Sequence, residues 1–337
     1  MAATPTKAAV FVASAPCFEA FRDVLVMSQT ASTSTKLIGT HNGTFHCDEA
    51  LAVSMLKLLP KFAAHDVLRT RDEAKLAQCE VVVDVGVLVS CTSISVVRSF
   101  KKLADPTKLD DETLDILYRK AYKNFIEHID GIDNGVEVAS AGDAKLKYNY
   151  QVSTTLSSRV SYLNPRWNES QDEQGMSRQF KQAMYMTITE FTDAIHDLVY
   201  SWLPAREIVE KAVANRFETH KSGEIVHFPK FCPWKSHLYD LEEKLLIQGQ
   251  IKFVLYNDPT GNMTRVQALN VEPGSFALRK GLLPLWRSLR NEELSRVSGI
   301  EGCTFVHNAG FIGGNRTFKG ALEMAVKSIE ATDEETK

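Results

Sequence analysis

The sequence predicts an α/β protein, with a mostly parallel sheet in an N-terminal domain and a smaller α/β domain after it. Three observations carry this. Short β-prone runs alternate with helical periodicity between Lys36 and Gly86, the pattern of successive strand–helix–strand units. The run Val81-Val-Val-Asp-Val-Gly86 is almost continuously apolar, as expected of a strand covered on both faces of a parallel sheet. A chain of 337 residues also exceeds what one hydrophobic core usually serves. The expected division is a disordered tail or targeting segment over 1–35, a first domain over 36–220 and a second over 221–330.

Order is expected from Lys36. Lys36–Thr40 reads as a strand that ends in His41-Asn-Gly-Thr-Phe-His-Cys-Asp-Glu49. Leu51, Met55, Leu58 and Leu59 then share helical spacing, with Pro60 closing the helix. Asp48 and Glu49 fall at its start, where the positive end of the helix dipole favours carboxylates. His65–Thr70 reads as a second strand, Asp72–Gln78 as a short helix and Val81–Gly86 as a third strand. The pattern fails over 87–104. It resumes with a helix from about Asp110 to Ile129, which runs into a carboxylate-rich turn, Ile129-Asp-Gly-Ile-Asp-Asn-Gly135. Long helices are expected over Ser177–Trp202 and Pro204–Phe217. Beyond Gly223, strands at Ile251–Asn257 and Met263–Val271 flank the turn chemistry of Asp258-Pro-Thr-Gly-Asn262. A strand at Cys303–Val306, a glycine-rich segment and a helix through Ala321 and Ala325 complete the chain.

Composition excludes several classes. Lys and Arg total 39 against 42 Asp and Glu, a formal charge of -3, so no general basic surface recruits nucleic acid. A local basic stretch, Arg279, Lys280, Arg287 and Arg290, reads as a solvated helix face. Six cysteines are scattered without a Cys-x-x-Cys pair, which argues against a zinc ribbon or a secreted disulfide scaffold. No apolar run is long enough to span a bilayer. The first eighteen residues carry Lys7 as their only charged side chain, which fits a mitochondrial presequence and a plain tail about equally.

The residues that carry chemistry are His41, His46 and Asp48, then Asp84, then Asp130 and Asp133. Ligands bind beyond the carboxyl ends of strands in open α/β sheets, and His41 to Asp48 and Asp84 fall at such ends. Mixed imidazole and carboxylate donors suit manganese, and carboxylates also accept magnesium. Each residue alone has an ordinary explanation: a loop histidine, a helix-capping aspartate, a turn. Their joint position at strand ends is the signal.

The run Ile38-Gly-Thr-His-Asn-Gly-Thr-Phe-His-Cys-Asp-Glu-Ala-Leu-Ala52 resembles the opening motif of the Myg exonuclease family, a branch of the DHH phosphoesterase superfamily. Arg69-Thr-Arg-Asp72, Val82-Val-Asp-Val-Gly86, Asp130-Gly-Ile-Asp-Asn-Gly135 and Ser157-Ser-Arg-Val-Ser-Tyr-Leu-Asn-Pro-Arg-Trp167 are similar to further family segments. So are Ser201-Trp-Leu-Pro-Ala-Arg206, Cys232-Pro-Trp-Lys-Ser-His-Leu-Tyr239 and Phe305-Val-His-Asn-Ala-Gly-Phe-Ile-Gly-Gly314. The resemblance implies metal-dependent phosphodiester hydrolysis of the 3′-to-5′ RNA exonuclease type, in mitochondria and nucleus. It implies a divalent metal, Mn2+ or Mg2+, held by His41, His46, Asp48, Asp84 and Asp133 (or Asp130), with Asp48 and Asp84 catalytic. It also implies RNA or nucleotide binding by a DHH-associated second domain through His307, Gly310, Gly313, Gly314 and Arg316.

One segment departs from the family. After Val-Asp-Val-Gly, family members carry a Tyr-Asp-His-His-Gln type motif, and here 87–104 contains no acidic residue, His, Gly or Pro. The expectation is an impaired hydrolase, with a non-catalytic RNA- or protein-binding relative as the alternative.

Overall fold

A computed structural model describes residues 36–85, 110–138, 152–170, 172–258, 260 and 262–331. The expectations for 1–35 and 87–104 lie outside the described residues. The chain divides into two compact units, one ending at Leu198 and the other starting at Val199.

In the first unit, strand β1 (Leu37–Thr40) leads through a six-residue loop to helix α1 (Cys47–Lys57). Strand β2 (Asp66–Arg69), helix α2 (Glu73–Leu76) and strand β3 (Val81–Val82) follow. The three strands form a parallel sheet in the order β2-β1-β3. All three run the same way, so the segments after Thr40, Arg69 and Val82 emerge at one edge. Gly39 is a packing requirement: a Cβ there would sit 2.9 Å from Cys79 Sγ and 3.0 Å from Leu76 Cδ2. Its absence lets the α2 turn lie directly on β1.

Helix α3 (Asp111–Ala121), one π-helical turn (Tyr122–Ile126) and helix α4 (Glu127–Asp133) form a continuous helical run. The carboxylate-rich segment expected as a turn is therefore helical as far as Asp133, and the chain turns only at Asn134 and Gly135 (φ +65°). Burial of Ile129 explains why the helix continues through Gly131. Helix α5 (Leu156–Ser161) and the long helix α6 (Glu173–Asp197) complete the unit. Every residue of α1 is buried, because α4, α5 and α6 all pack against it. A helix apolar and covered all round belongs in a core. Ser54 fixes the α1–α6 contact by donating to the Ala50 and Met184 carbonyls at 2.7 and 3.1 Å. Arg159 of α5 holds Glu190 of α6 through both guanidinium nitrogens.

A π-helical turn (Leu198–Trp202) begins on the last residue of the first unit, and the second unit continues with helices α7 (Leu203–Ala214) and α8 (Arg216–Thr219). Strand β4 (Ile225–Phe228), helix α9 (Lys235–Leu245), strands β5 (Phe253–Asp258) and β6 (Met263–Ala268) and helix α10 (Asn291–Ser298) come next. Strands β7 (Cys303–Val306) and β8 (Ile312–Asn315) precede helix α11 (Phe318–Glu330). The sheet order is β4-β5-β6-β8-β7, with β4 and β5 parallel and the other pairs antiparallel. Alternation along β5 splits two cores. Val254 and Tyr256 face α7 and α9, whereas Phe253 and Leu255 face the side that holds Leu294, Ala321 and Met324. Helix α7 packs on β4 and α9, and so belongs with this sheet although the sequence reading ended the first domain at residue 220.

The basic stretch is not a solvated helix face. Arg279 is 6% exposed and forms a bidentate pair with Glu242, itself 1% exposed, at 2.6 and 2.7 Å. Lys280 donates to the Ala331 carbonyl and Arg287 Nε to the Leu282 carbonyl. Tertiary partners consume these charges. Breaking a buried pair leaves an uncompensated charge, so Arg279→Ala is expected to lower unfolding free energy by about 3–5 kcal/mol in urea titrations. The double variant Arg279→Met, Glu242→Leu is expected to recover most of it, and equal stability of Arg279→Ala and wild type would refute the pairing.

Candidate metal centre

The loop between β1 and α1 carries the first donors to the carboxyl edge of the sheet. Asn164 holds it in place, accepting from the Phe45 amide at 3.0 Å and donating to the Phe45 carbonyl at 2.9 Å. His41 is buried, and its Nδ1 donates to the Asn42 carbonyl at 3.1 Å. Its Nε2 faces two carboxylates, Glu49 Oε2 at 2.9 Å and Asp84 Oδ2 at 3.1 Å. The hydrogen bond to Glu49 is the main reason the imidazole is held above its usual pKa, with burial opposing.

Glu49 is the organiser of the loop. It has no exposure to solvent, accepts from Thr40 Oγ1 at 2.8 Å and accepts from the His46 amide at 3.3 Å. Arg69 Nη2 lies 3.7 Å from Oε1, the oxygen that accepts from the His46 amide. One carboxylate thus ties the end of β1, the start of α1 and the end of β2. The sequence reading assigned Glu49 and Arg69 no role at the centre. Glu49 stands three residues after His46, the spacing of a capping box, and Arg69 stands at a strand's carboxyl end, so both signals were present.

Asp84 follows β3 in the left-handed region, φ +54°. Aspartate tolerates this better than most residues, at a cost of about 1 kcal/mol. The conformation brings its carboxylate to His41. Burial pushes Asp84 up in pKa, with the His41 charge opposing. Asp48 is pushed up to about 6, first by burial and then by the negative charges of Asp84 and Asp133. This crowding of Asp48 by two further carboxylates is a deficit of positive charge that a bound divalent cation would remove.

Donor atoms of His41, His46 and Asp84 lie within 4.8 Å of one another, and so do those of His46, Asp48 and Asp133. The two sets share His46. Asp133 is exposed on α4 beside Asp48, whereas Asp130 is turned to Tyr122, whose hydroxyl donates to it at 2.9 Å. Cys47, between the two donors His46 and Asp48, is buried with its thiol pushed up to about 12. A neutral thiol is neither a nucleophile nor a thiolate ligand. A cavity of about 530 Å3 opens over His46, Asp48 and Asp133 and is walled by Ser157, Ser161 and Tyr162.

The residues assigned in the second unit do not form a comparable group. Gly313 and Gly314 lie inside β8, paired on one side with β6 and on the other with β7, so the ladder occupies their backbone. Their small size is a packing need, since a Cβ on Gly314 would meet Thr304 Oγ1 at 2.8 Å. Gly310 turns the hairpin at φ +70°. His307 is at the tip and Arg316 at the far end of β8, both exposed.

Fold and centre together define an α/β protein with an imidazole–carboxylate cluster at the carboxyl edge of a parallel sheet. The chain belongs to the uncharacterised protein family UPF0160, whose model matches residues 37–91 and 94–329. It is similar to the MYG1 exonuclease of Mus musculus, 42% identical over 323 residues that cover 86% of this chain and 83% of the relative. The MYG1 exonuclease of Homo sapiens is 43% identical over 86% of this chain and 84% of its own length. The MYG1 protein of Dictyostelium discoideum is 40% identical, covering 87% and 96%. No solved structure matches the chain.

The electrostatics predict how the metal-free protein responds to pH. Asp48 binds its proton more tightly folded than unfolded, so its penalty is full above about 6 and relieved as pH falls towards 3.8. His41, raised above 6.5, stabilises below that value and loses the contribution as pH rises through its folded pKa. Both signs agree. Melting of chelator-treated protein is expected at higher temperature near about pH 6 than near about pH 8, with a smaller difference in Asp48→Asn. An identical pH response in the variant would contradict the charge crowding.

Proposed function

We propose that this protein is a metal-dependent phosphodiester hydrolase of the DHH phosphoesterase type, acting on RNA as a 3′-to-5′ exonuclease with Mn2+ or Mg2+. The observation that carries this reading is the pair of donor triads sharing His46. Relatives named MYG1 exonuclease, matched over most of their length, support it. The donor set of nitrogen and carboxylate oxygen fits a first-row divalent ion or magnesium. Such an ion, when bound, lowers the pKa of water and neutralises charge on the phosphoryl oxygens.

The chain's own groups have distinct tasks in this reading. His41 keeps Nδ1 on the Asn42 carbonyl, which fixes the ring with Nε2 towards the centre. Glu49 orients His41 and restrains the loop from behind. Asp48 and Asp84 are the central carboxylates, and Asp133 completes the second triad from α4. The hydroxyls of Ser157 and Ser161 border the cavity in which a nucleotide would lie. Mitochondrion and nucleus are the compartments proposed, on the resemblance alone.

Catalysis is proposed to be impaired. The stretch 87–104 supplies no imidazole or carboxylate, and the family match is itself broken between residues 91 and 94. Loss of even an outer partner of a ligand costs about 10–100-fold in affinity or activity. The same gap favours a second reading, a non-catalytic relative that binds RNA or a protein. Mn2+ titration and hydrolysis of a 3′-labelled RNA separate them. The expected result is weak metal binding and turnover at least about 10–100-fold below an intact relative, both abolished by Asp48→Asn. Turnover equal to the intact relative would refute impairment, and RNA binding without any metal binding would favour the second reading.

A further inference from the structure

A second feature of the first unit lies beside the centre and is not used by it. Between the β2 edge and helix α6 runs a groove of about 960 Å3 lined by Lys57, Arg69, Arg178, Lys181, Asp66 and Tyr185, among others. Four of these side chains are cationic and one is an aspartate. In a chain of net charge -3 this is a local concentration of the opposite sign.

Arg69 lies 3.7 Å from Glu49, whereas the other three cations form no ion pair with a carboxylate among the described residues. Arg178 and Lys181 are exposed and form no ion pair among the described residues. Lys57 is 5% exposed, yet its ammonium donates to the His65 carbonyl, at 2.6 Å, rather than to a carboxylate. Burial lowers its pKa, Asp66 opposes the shift, and the charge of Lys181 adds to it. The Arg69 side chain is 10% exposed, and its Nε is buried without a hydrogen-bond partner among the described residues. A buried donor left without a partner costs free energy.

Arg69 also links the groove wall to the loop of the candidate centre. Its guanidinium lies over Phe180 at 4.5 Å and Phe45 at 5.5 Å, donates to the Gly43 carbonyl at 3.0 Å and faces Glu49. One side chain therefore touches the metal-site loop and the groove wall. On α6, Arg178, Lys181, Gln182 and Tyr185 stand at i, i+3, i+4 and i+7, a single exposed face. Tyr185 is 45% exposed, and an aromatic ring beside cations is what a single strand uses for base stacking.

We propose that this groove carries the phosphodiester backbone of single-stranded RNA beyond the nucleotide at the metal centre, with Arg69 at the junction and Arg178 and Lys181 along the outer wall. The proposal rests on the nuclease reading and adds a determinant of substrate length: a polymer engages the groove, a dinucleotide does not. An acidic peptide would meet the same charges but would have no reason to continue into the centre.

The test is fluorescence anisotropy with a labelled oligouridine twelve-mer and a labelled dinucleotide, across a salt series, for wild type and Arg178→Glu, Lys181→Glu. Both substitutions are on an exposed helix face, and unchanged melting confirms the fold. A single strand releases about 0.7 counterion per phosphate neutralised, so losing two contacts is expected to flatten the salt slope by about 1.4 and weaken twelve-mer binding roughly tenfold or more. Dinucleotide binding is expected to stay unchanged. Wild-type twelve-mer affinity and slope in the variant would overturn the groove while leaving the nuclease reading intact. Equal losses for dinucleotide and twelve-mer would overturn it in favour of a single phosphate pocket. Absence of RNA binding by wild type would overturn both readings.

Discussion

Glu49 is a carboxylate sealed from solvent among Thr40, His41, the His46 amide and Arg69, and the rest of the centre depends on it. Burying a charge is expensive unless it is paired and hydrogen-bonded. Here each partner comes from a different piece of the parallel sheet or the helix that follows it. Satisfying one carboxylate therefore fixes the register of the loop, the start of α1 and the end of β2 together. The His41 ring is set by that arrangement, and Asp84 reaches it from β3 by accepting a left-handed backbone.

The parallel sheet makes this convergence possible. Three strands that run the same way deliver Thr40, Arg69 and Val82 to one edge, and the first turn of α1 adds Asp48 and Glu49 at its positive end. Nothing in the core of α1 is exposed, so the helix cannot shift to relieve the crowding of Asp48 by Asp84 and Asp133. The crowding is electrostatic and sits at the residues that could hold a divalent cation. Helix α4 contributes Asp133 by running past the expected turn, since burial of Ile129 outweighs the poor helix propensity of Gly131.

Much of the first unit was legible because local signals and tertiary structure agree there. Strand β1 and the periodicity of Leu51, Met55 and Leu58 each point to the element that forms, whereas the apolar run at Val81, expected as a covered strand over Val81–Gly86, forms only the half-buried strand Val81–Val82. The candidates His41, His46, Asp48 and Asp84 were legible from their place at strand ends, and the structure brings them together with Asp133. Glu49 carries a capping-box spacing to His46, but its contact with Arg69 joins residues twenty apart that only the fold brings together. In the second unit β4 and α9 carry weak local patterns and are stabilised by packing against α7 and β5. The basic stretch misled for the same reason: only the fold brings Glu242 to Arg279. The glycine-rich segment, given a nucleotide-binding role by the resemblance alone, has a packing reason for its glycines: β8 runs close against Phe305, Thr304 and Met263 at Gly313 and Gly314.

The sharing of His46 between two donor sets is the central claim, and Mn2+ titration followed by electron paramagnetic resonance tests it most directly. The expected result is that His46→Ala removes metal binding from both sets, while Asp133→Asn removes only the portion contributed by the set on α4. Wild-type stoichiometry in His46→Ala would contradict it.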